Sequence, residues 1–281
     1  MSSMTCSAAS TAAGEPLGGT APRVDACLLI EVRGPWERDA IDSLAGPAAA
    51  AALTWLEATP RSRLLLIRRP DRREGDLAAF VVQAAETSPS IRRFALSGHD
   101  DLAAVDLARG GEPVDEPLAL VCGHGRRDAC CARLGVPLYE ALRPHAGPGS
   151  PWLSSHQGGH RFAPNLLWLP DGLSFGRVDP ASVGSLLAEL GAGRLPLKSF
   201  RGRVTAPPEA QAAEIAVRER FSLSRLADVT LLSAEGGQVS FTSVRGTVEV
   251  DVATEQGPPL PASCGGEPEP VARYVVSRMR P

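Results

Sequence analysis

Two short stretches restrict this chain more than anything else in it. They read Cys122-Gly-His-Gly-Arg-Arg-Asp-Ala-Cys130-Cys131 and Ser155-His156-Gln-Gly-Gly-His160-Arg-Phe-Ala-Pro-Asn165. Thiolate sulfur with imidazole nitrogen is a transition-metal donor set, suited to zinc or iron–sulfur rather than magnesium or calcium. A fold that uses it must carry a strand-end turn and a second loop to one centre. Gly158 and Gly159 lack Cβ atoms, so backbone N–H groups can approach a bulky inorganic core and a regular helix is disfavoured. His156 and His160 are therefore expected on one tight loop, both rings turned toward one point. Neither spacing says much alone, because small buried cysteines are common. Their coincidence within about forty residues, with glycines in both stretches, points to a metal site.

The rest of the chain is punctuated into short elements by its 28 glycines and 25 prolines. Residues 1–22, rich in Ser, Thr, Ala and Gly, read as a mobile tail. Residues 23–115 read as an α/β region. Its strands are expected at Val24–Arg33, Arg63–Arg69, Ala79–Ala85 and Arg92–Ser97, and its helix at Pro47–Ala58. The turn-rich seam Gly110–Pro117 marks a domain boundary. Residues 116–200 follow with a strand at Leu118–Cys122 and a helix N-capped by Asp128 that runs to about Leu142. A hairpin then turns at Asp171-Gly172 and a helix starts at Asp179-Pro180. This order, strand–helix–hairpin–helix, is thioredoxin-like. Residues 201–281 read as a helix opened by Pro207-Pro208 and a β-meander over Val229–Ser233, Val239–Ser243 and Thr247–Val252.

Charge and cysteine content narrow the function. A formal net charge of -3 offers no global basic bias for nucleic acid. The longest weakly polar run, Ala45–Leu56, is too short to span a bilayer, and the N-terminus lacks a signal-peptide pattern. A cytoplasmic, reducing compartment is the expectation, and there six cysteines suit metal binding, catalysis or burial better than a disulfide framework.

The pattern C-G-H-G-R-R-D-x-x-C followed by H-x-G-G-H-R-F-A-x-N resembles the sucrase/ferredoxin-like family. The likeness extends to Glu15–Ala21 (EPLGGTA), Gly34–Ala40 (GPWERDA), Leu66–Pro70 (LIRRP) and Arg201–Ala213. It implies a thioredoxin-like ferredoxin core. In the branch that shares these histidines, fungal relatives included, it implies a [2Fe–2S] cluster held by two Cys and two His. Carried over, the ligands are Cys122, Cys131, His156 and His160. Cys131 is preferred to Cys130 because the family's Asp-x-x-Cys counts from Asp128. Pro164 stands where some relatives have Gly or Ala, which bears only on local loop shape. The family name's sucrase half gains no support, since glycoside hydrolysis needs two opposed carboxylates and these motifs supply only Asp128.

Such a ligand set implies one-electron transfer, with a proton coupled to it. Two thiolates and two neutral imidazoles leave an oxidised core of about +2 near neutrality, whereas four thiolates leave it near about −2. The potential is then expected above plant-type ferredoxins, within about −150 to +300 mV, and pH-dependent. The implied partners are a redox donor and an acceptor protein, with neither nucleic acid nor membrane. No flavin or nicotinamide motif is visible, so a carrier is a better description than a self-contained enzyme. Two alternatives use the same residues. One is a structural Zn(Cys2His2) module, although eight residues between cysteines fit the usual C-x(2–4)-C knuckle poorly. The other is a thiol oxidoreductase, although no C-x-x-C is present.

Other residues frame the site. His124 could hydrogen-bond the cluster or a partner, or be a plain turn residue. Arg126, Arg127 and Arg161 could offset a reduced cluster's charge, dock an acidic partner, or form ordinary ion pairs. Asn165 could brace the histidine loop. Cys130 reads as a core filler that could also replace Cys131 or react with oxidants. His99 and His145 read as solvated, and Trp36, Trp55, Trp152 and Trp168 as packing. Cys6 and Cys264 stay unassigned.

Overall fold

Continuous apolar runs of strand length build the larger sheet of this mixed α/β protein. The computed structural model describes residues 4–72, 74–86, 88–145, 147 and 149–280. They form two units. The sheet unit comprises Val24–Gln157 and Leu166–Gly172. The second unit takes the described residues up to Arg23, Gly158–Asn165 and those from Leu173 onward. No described helix is long and apolar enough to cross a membrane.

The first helix, α1 (Cys6–Ala12), belongs to the second unit. The sheet unit begins with β1 (Ala26–Glu31), buried at all six positions as a strand covered on both faces must be. Helix α2 (Gly46–Ala58) starts with Pro47 in its first turn and buries Ala48, Ala52 and Trp55, one stripe at helical spacing. Strand β2 (Ser62–Arg68) lies parallel to β1, with Leu28 opposite Leu64. Strands β3 (Leu77–Gln83), β4 (Ser90–Leu96) and β5 (Glu112–Pro113) extend the other edge antiparallel. Next come β6 (Leu118–Cys122), α3 (Ala129–Leu142), β7 (Trp152–Ser154) and β8 (Leu166–Leu169).

Strand β7 runs parallel to β6, with Val121 opposite Leu153, and antiparallel to β2, with Ile67 opposite Ser154. The strand order of this unit is therefore β8-β6-β7-β2-β1-β3-β4-β5. The expected boundary at Gly110–Pro117 is accordingly no division between units. That segment carries β5, hydrogen-bonded to β4 inside one sheet.

In the second unit, β9 (Leu173–Phe175) pairs antiparallel with β10 (Phe200–Arg203). Helices α4 (Val183–Gly191) and α5 (Pro208–Phe221) precede a small antiparallel sheet. Its strands β11 (Val229–Glu235), β12 (Gln238–Ser243), β13 (Gly246–Pro261) and β14 (Pro268–Arg280) pair in sequence order. Ala213 and Val217 of α5 belong to the same core as Val239, Phe241, Val248 and Val250. The polar positions on α5 are buried too. Glu214 pairs with Arg218 at 2.8 Å and Arg203 at 3.2 Å.

Two expectations fail here. Residues 4–22 are not a mobile tail: Thr5 caps α1, and Cys6, Ser7, Ala9 and Ser10 are buried. Small side chains that lack an apolar period still pack closely where a helix lies against other backbone. Residues 1–3 of that stretch lie outside the described residues. The meander also has a fourth strand, β14, which the sequence reading missed.

Candidate metal centre

Strand β6 ends at Cys122, and the Gly123 N–H donates to the Ser154 carbonyl at 3.0 Å, so the turn leaves from a fixed point. The Asp128 carboxylate accepts from the Cys130 N–H at 2.8 Å and caps α3. That cap sets Cys131 in the first helical turn. Gly135 then lets α3 lie on the end of β6, since a Cβ there would collide with the Cys122 carbonyl oxygen. Beyond β7, Ser155 exchanges two hydrogen bonds with Leu66, its N–H donating at 2.7 Å and its Oγ accepting at 2.9 Å. The Gln157 amide donates to the Leu120 carbonyl and to Ser154 Oγ, both at 2.8 Å. His156 is thus held between two anchored neighbours.

The outcome is a three-donor cluster. Cys122 Sγ, Cys131 Sγ and a His156 ring nitrogen lie within 4.8 Å of one another. Cys131 Sγ and His156 Nδ1 are 3.9 Å apart. Cys131, and not Cys130, is the cysteine that joins this group. The Cys131 hydrogen bond holds the Cys122 thiol well below the usual thiol range, with His156 and the Gln157 N–H adding to the effect. The same hydrogen bond pushes Cys131 up, helped by burial. One thiolate is therefore already favoured beside a proton-sharing partner, which suits a metal that displaces protons from its ligands.

The sequence reading missed Arg63 and Gln157. Arg63, in β2, is close enough to favour the ionised forms of Cys122 and Cys27 electrostatically, and donates to the Gln157 carbonyl. Burial lowers its own pKa. Its only signal in the sequence is a charged residue at the head of the apolar run Leu64–Ile67. Cys27, opposite Arg63 in register, is pushed by burial to about 12 and stays a thiol.

His124 does not join the donor cluster. Its Nε2 lies 2.8 Å from the Glu37 carbonyl, its ring meets Trp36 edge-on, and burial lowers its pKa. Arg126 pairs with Glu37, and Arg127 with Asp39 at 2.9 Å, so both serve the GPWERDA segment. His99, expected to be solvated, is half-buried with Nε2 at 2.9 Å from the Glu31 carbonyl. His145 is exposed.

His160 belongs to the second unit, on a 3-10 turn that follows Gly158 (φ +100) and Gly159 (φ +73). The two glycines make the expected break from helical backbone. Its Nε2 meets the Ala262 carbonyl. Asn165 does brace this loop, its Nδ2 donating to the Gly159 carbonyl at 3.0 Å. A third missed residue lies beneath: Arg201, 1% exposed, donates to Asn165 Oδ1 at 3.0 Å and to the Gly158 carbonyl at 3.2 Å. A Cβ on Gly159 would strike its guanidinium. Arg161 is paired with buried Glu15 at 2.9 Å. Arg161, Arg177 and Arg201 all stack on Phe162.

A family model described as sucrase/ferredoxin-like matches residues 17–202. Among curated relatives, Altered inheritance of mitochondria protein 32 of Eremothecium gossypii is 33% identical over 114 residues, 34% of this chain and 35% of that protein. The protein of the same name from Saccharomyces kudriavzevii is 31% identical over 100 residues, 31% of this chain and 32% of that protein. That from Kluyveromyces lactis is 33% identical over 88 residues, covering 28% and 26%. The chain thus spans about a third or less of the length of these relatives. No solved structure matches.

Proposed function

Because the chain belongs to the sucrase/ferredoxin-like family, we propose that it is a one-electron carrier holding a [2Fe–2S] cluster through Cys122, Cys131, His156 and His160. The observation that supports this most is the meeting of two buried thiols and an imidazole within 4.8 Å. Soft sulfur with borderline nitrogen fits iron–sulfur chemistry, and the set offers no carboxylate that would favour a hard cation. His160 enters by the family pattern, as the fourth donor four residues after His156.

When bound, such a cluster supplies a one-electron couple. The protein's residues do the remainder. The backbone N–H of Gln157, directed at Cys122, and the nearby Arg63 cation both favour negative charge on sulfur and so favour the reduced state. The pairing of His160 Nε2 with the Ala262 carbonyl leaves Nδ1 as the nitrogen for a metal. Sheet geometry supports the thioredoxin-like reading of this region, since β6 runs parallel to β7 and antiparallel to β8 with α3 as the crossover. Its partners on this reading are a donor and an acceptor protein that exchange single electrons.

Anaerobic purification tests the reading directly. Red-brown protein with about two irons and two sulfides per chain is expected. A colourless protein with one zinc would replace this function by a structural one.

A further inference from the structure

The turn between β13 and β14 brings a second pair of sulfurs together. Cys264 donates its thiol hydrogen to Cys6, Sγ to Sγ 3.6 Å, across 258 residues of sequence. Cys6 is buried at the start of α1, and Cys264 is partly exposed. Helix α1 is firmly tied. Ser7 Oγ donates to the Ala163 carbonyl at 2.9 Å, and Ser10 Oγ to Glu15 at 2.6 Å. The turn is the adaptable side, because Gly265 (φ +79) and Gly266 follow Cys264 directly. A disulfide needs sulfurs about 2.05 Å apart, so the two sulfurs must approach one another further to bond.

We propose that Cys6 and Cys264 form a reversible disulfide that clamps the β13–β14 turn onto α1, with a small-molecule disulfide as oxidant. Access sets the order of events. The Cys264 thiolate attacks the oxidant, forms a mixed disulfide and releases one thiolate. The Cys6 thiolate then attacks Cys264 Sγ, the protein S–S bond forms, and the second thiolate leaves. Two protein thiols give up two electrons and two protons, and the oxidant departs as two thiols. The clamp has a local consequence. Ala262, two residues before Cys264, carries the carbonyl that meets His160, so closing the bond fixes that partner in place. The bond itself does not depend on the electron-carrier reading.

The test is to incubate the intact protein with oxidised glutathione, alkylate, digest and map the peptides by mass. The expected product is one linked Cys6–Cys264 peptide pair, about 2 Da lighter than the free pair, that dithiothreitol releases. Cys6→Ser should stop the reaction at glutathionylated Cys264. Full alkylation of both cysteines after this treatment, or linkage of Cys6 to a different cysteine, overturns the proposal. Colourless protein that forms the link would refute only the electron carrier. Iron-loaded protein that fails to form it would refute only the clamp.

Discussion

The pair Cys122–Cys131 and the pair Cys6–Cys264 lie in different surroundings, and those surroundings favour different chemistry. Cys122 and Cys131 sit at a strand end and in a capped first helical turn, both buried, with an imidazole beside them. Their backbones are fixed by sheet hydrogen bonds, the Asp128 cap and the contact that Gly135 permits. Cys6 and Cys264 lie on a helix and at a turn where two glycines follow, Cys6 buried and Cys264 partly exposed. Rigid, buried, imidazole-flanked sulfurs suit the proposed metal, since metal binding rewards preorganised donors. A pair with one partly exposed member beside a glycine turn suits thiol exchange. Proximity alone decides neither.

The comparison breaks most visibly through substitution. On the proposed ligation, Cys131→Ser should abolish iron and colour by removing one of two thiolate donors, while Cys264→Ser should keep full iron content by metal analysis. Equal losses in both variants would show that the pairs are one system. Beneath the histidine loop, Arg201→Met would leave Asn165 Oδ1 and the Gly158 carbonyl without their buried donor. A loss of about 3 kcal/mol in urea unfolding is expected. Gly159→Ala should cost about 1–2 kcal/mol from its left-handed backbone alone, before the collision with Arg201 is counted. A third measurement concerns the electron. Reduction that binds one proton at a ligand histidine lowers the potential by about 59 mV per pH unit as pH rises. The slope should appear in the alkaline range in redox titrations at several pH values. A flat potential there would argue against titrating histidine ligands.

The donor frame was largely legible in the sequence, because local rules and tertiary structure agree along it. LALVC is a buried strand ending at Cys122, and Asp128 caps the following helix as its side chain invites. The continuous apolar runs of β1 and β2, short and closed by Gly34-Pro35 and Pro70, read as covered strands and are strands. What stayed hidden depends on partners far along the chain. Arg201 reads as an ordinary arginine until its hydrogen bonds to Asn165 and Gly158 are seen. Strand β14 includes Pro268 and Pro270 and is largely exposed or half-buried, so it shows no clean apolar alternation, and its pairing with β13 defines it. Helix α1 has the composition of a loose tail, yet the buried Ser7 and Ser10 find acceptors at Ala163 and Glu15.

The smallest expected effect sharpens the distinction between frame and donor within the Cys122–Cys131 turn itself. His124 presents Nε2 to the Glu37 carbonyl, while its buried Nδ1 has no hydrogen-bond partner among the described residues. A second proton would place an N–H where no described residue accepts it, and burial holds the pKa below the usual 6.5. The folded chain therefore binds this proton less readily than the unfolded chain. Its contribution to stability is complete above about pH 6.5 and is lost as pH falls through the lower, folded-state pKa. His124→Gln retains a donor for Glu37 but cannot take up the proton. Urea midpoints measured between about pH 8 and pH 5 should thus fall less steeply on the acid side for this variant. Its iron content should match that of the parent protein, because His124 belongs to the frame. Loss of iron with an unchanged acid limb would instead place His124 among the donors.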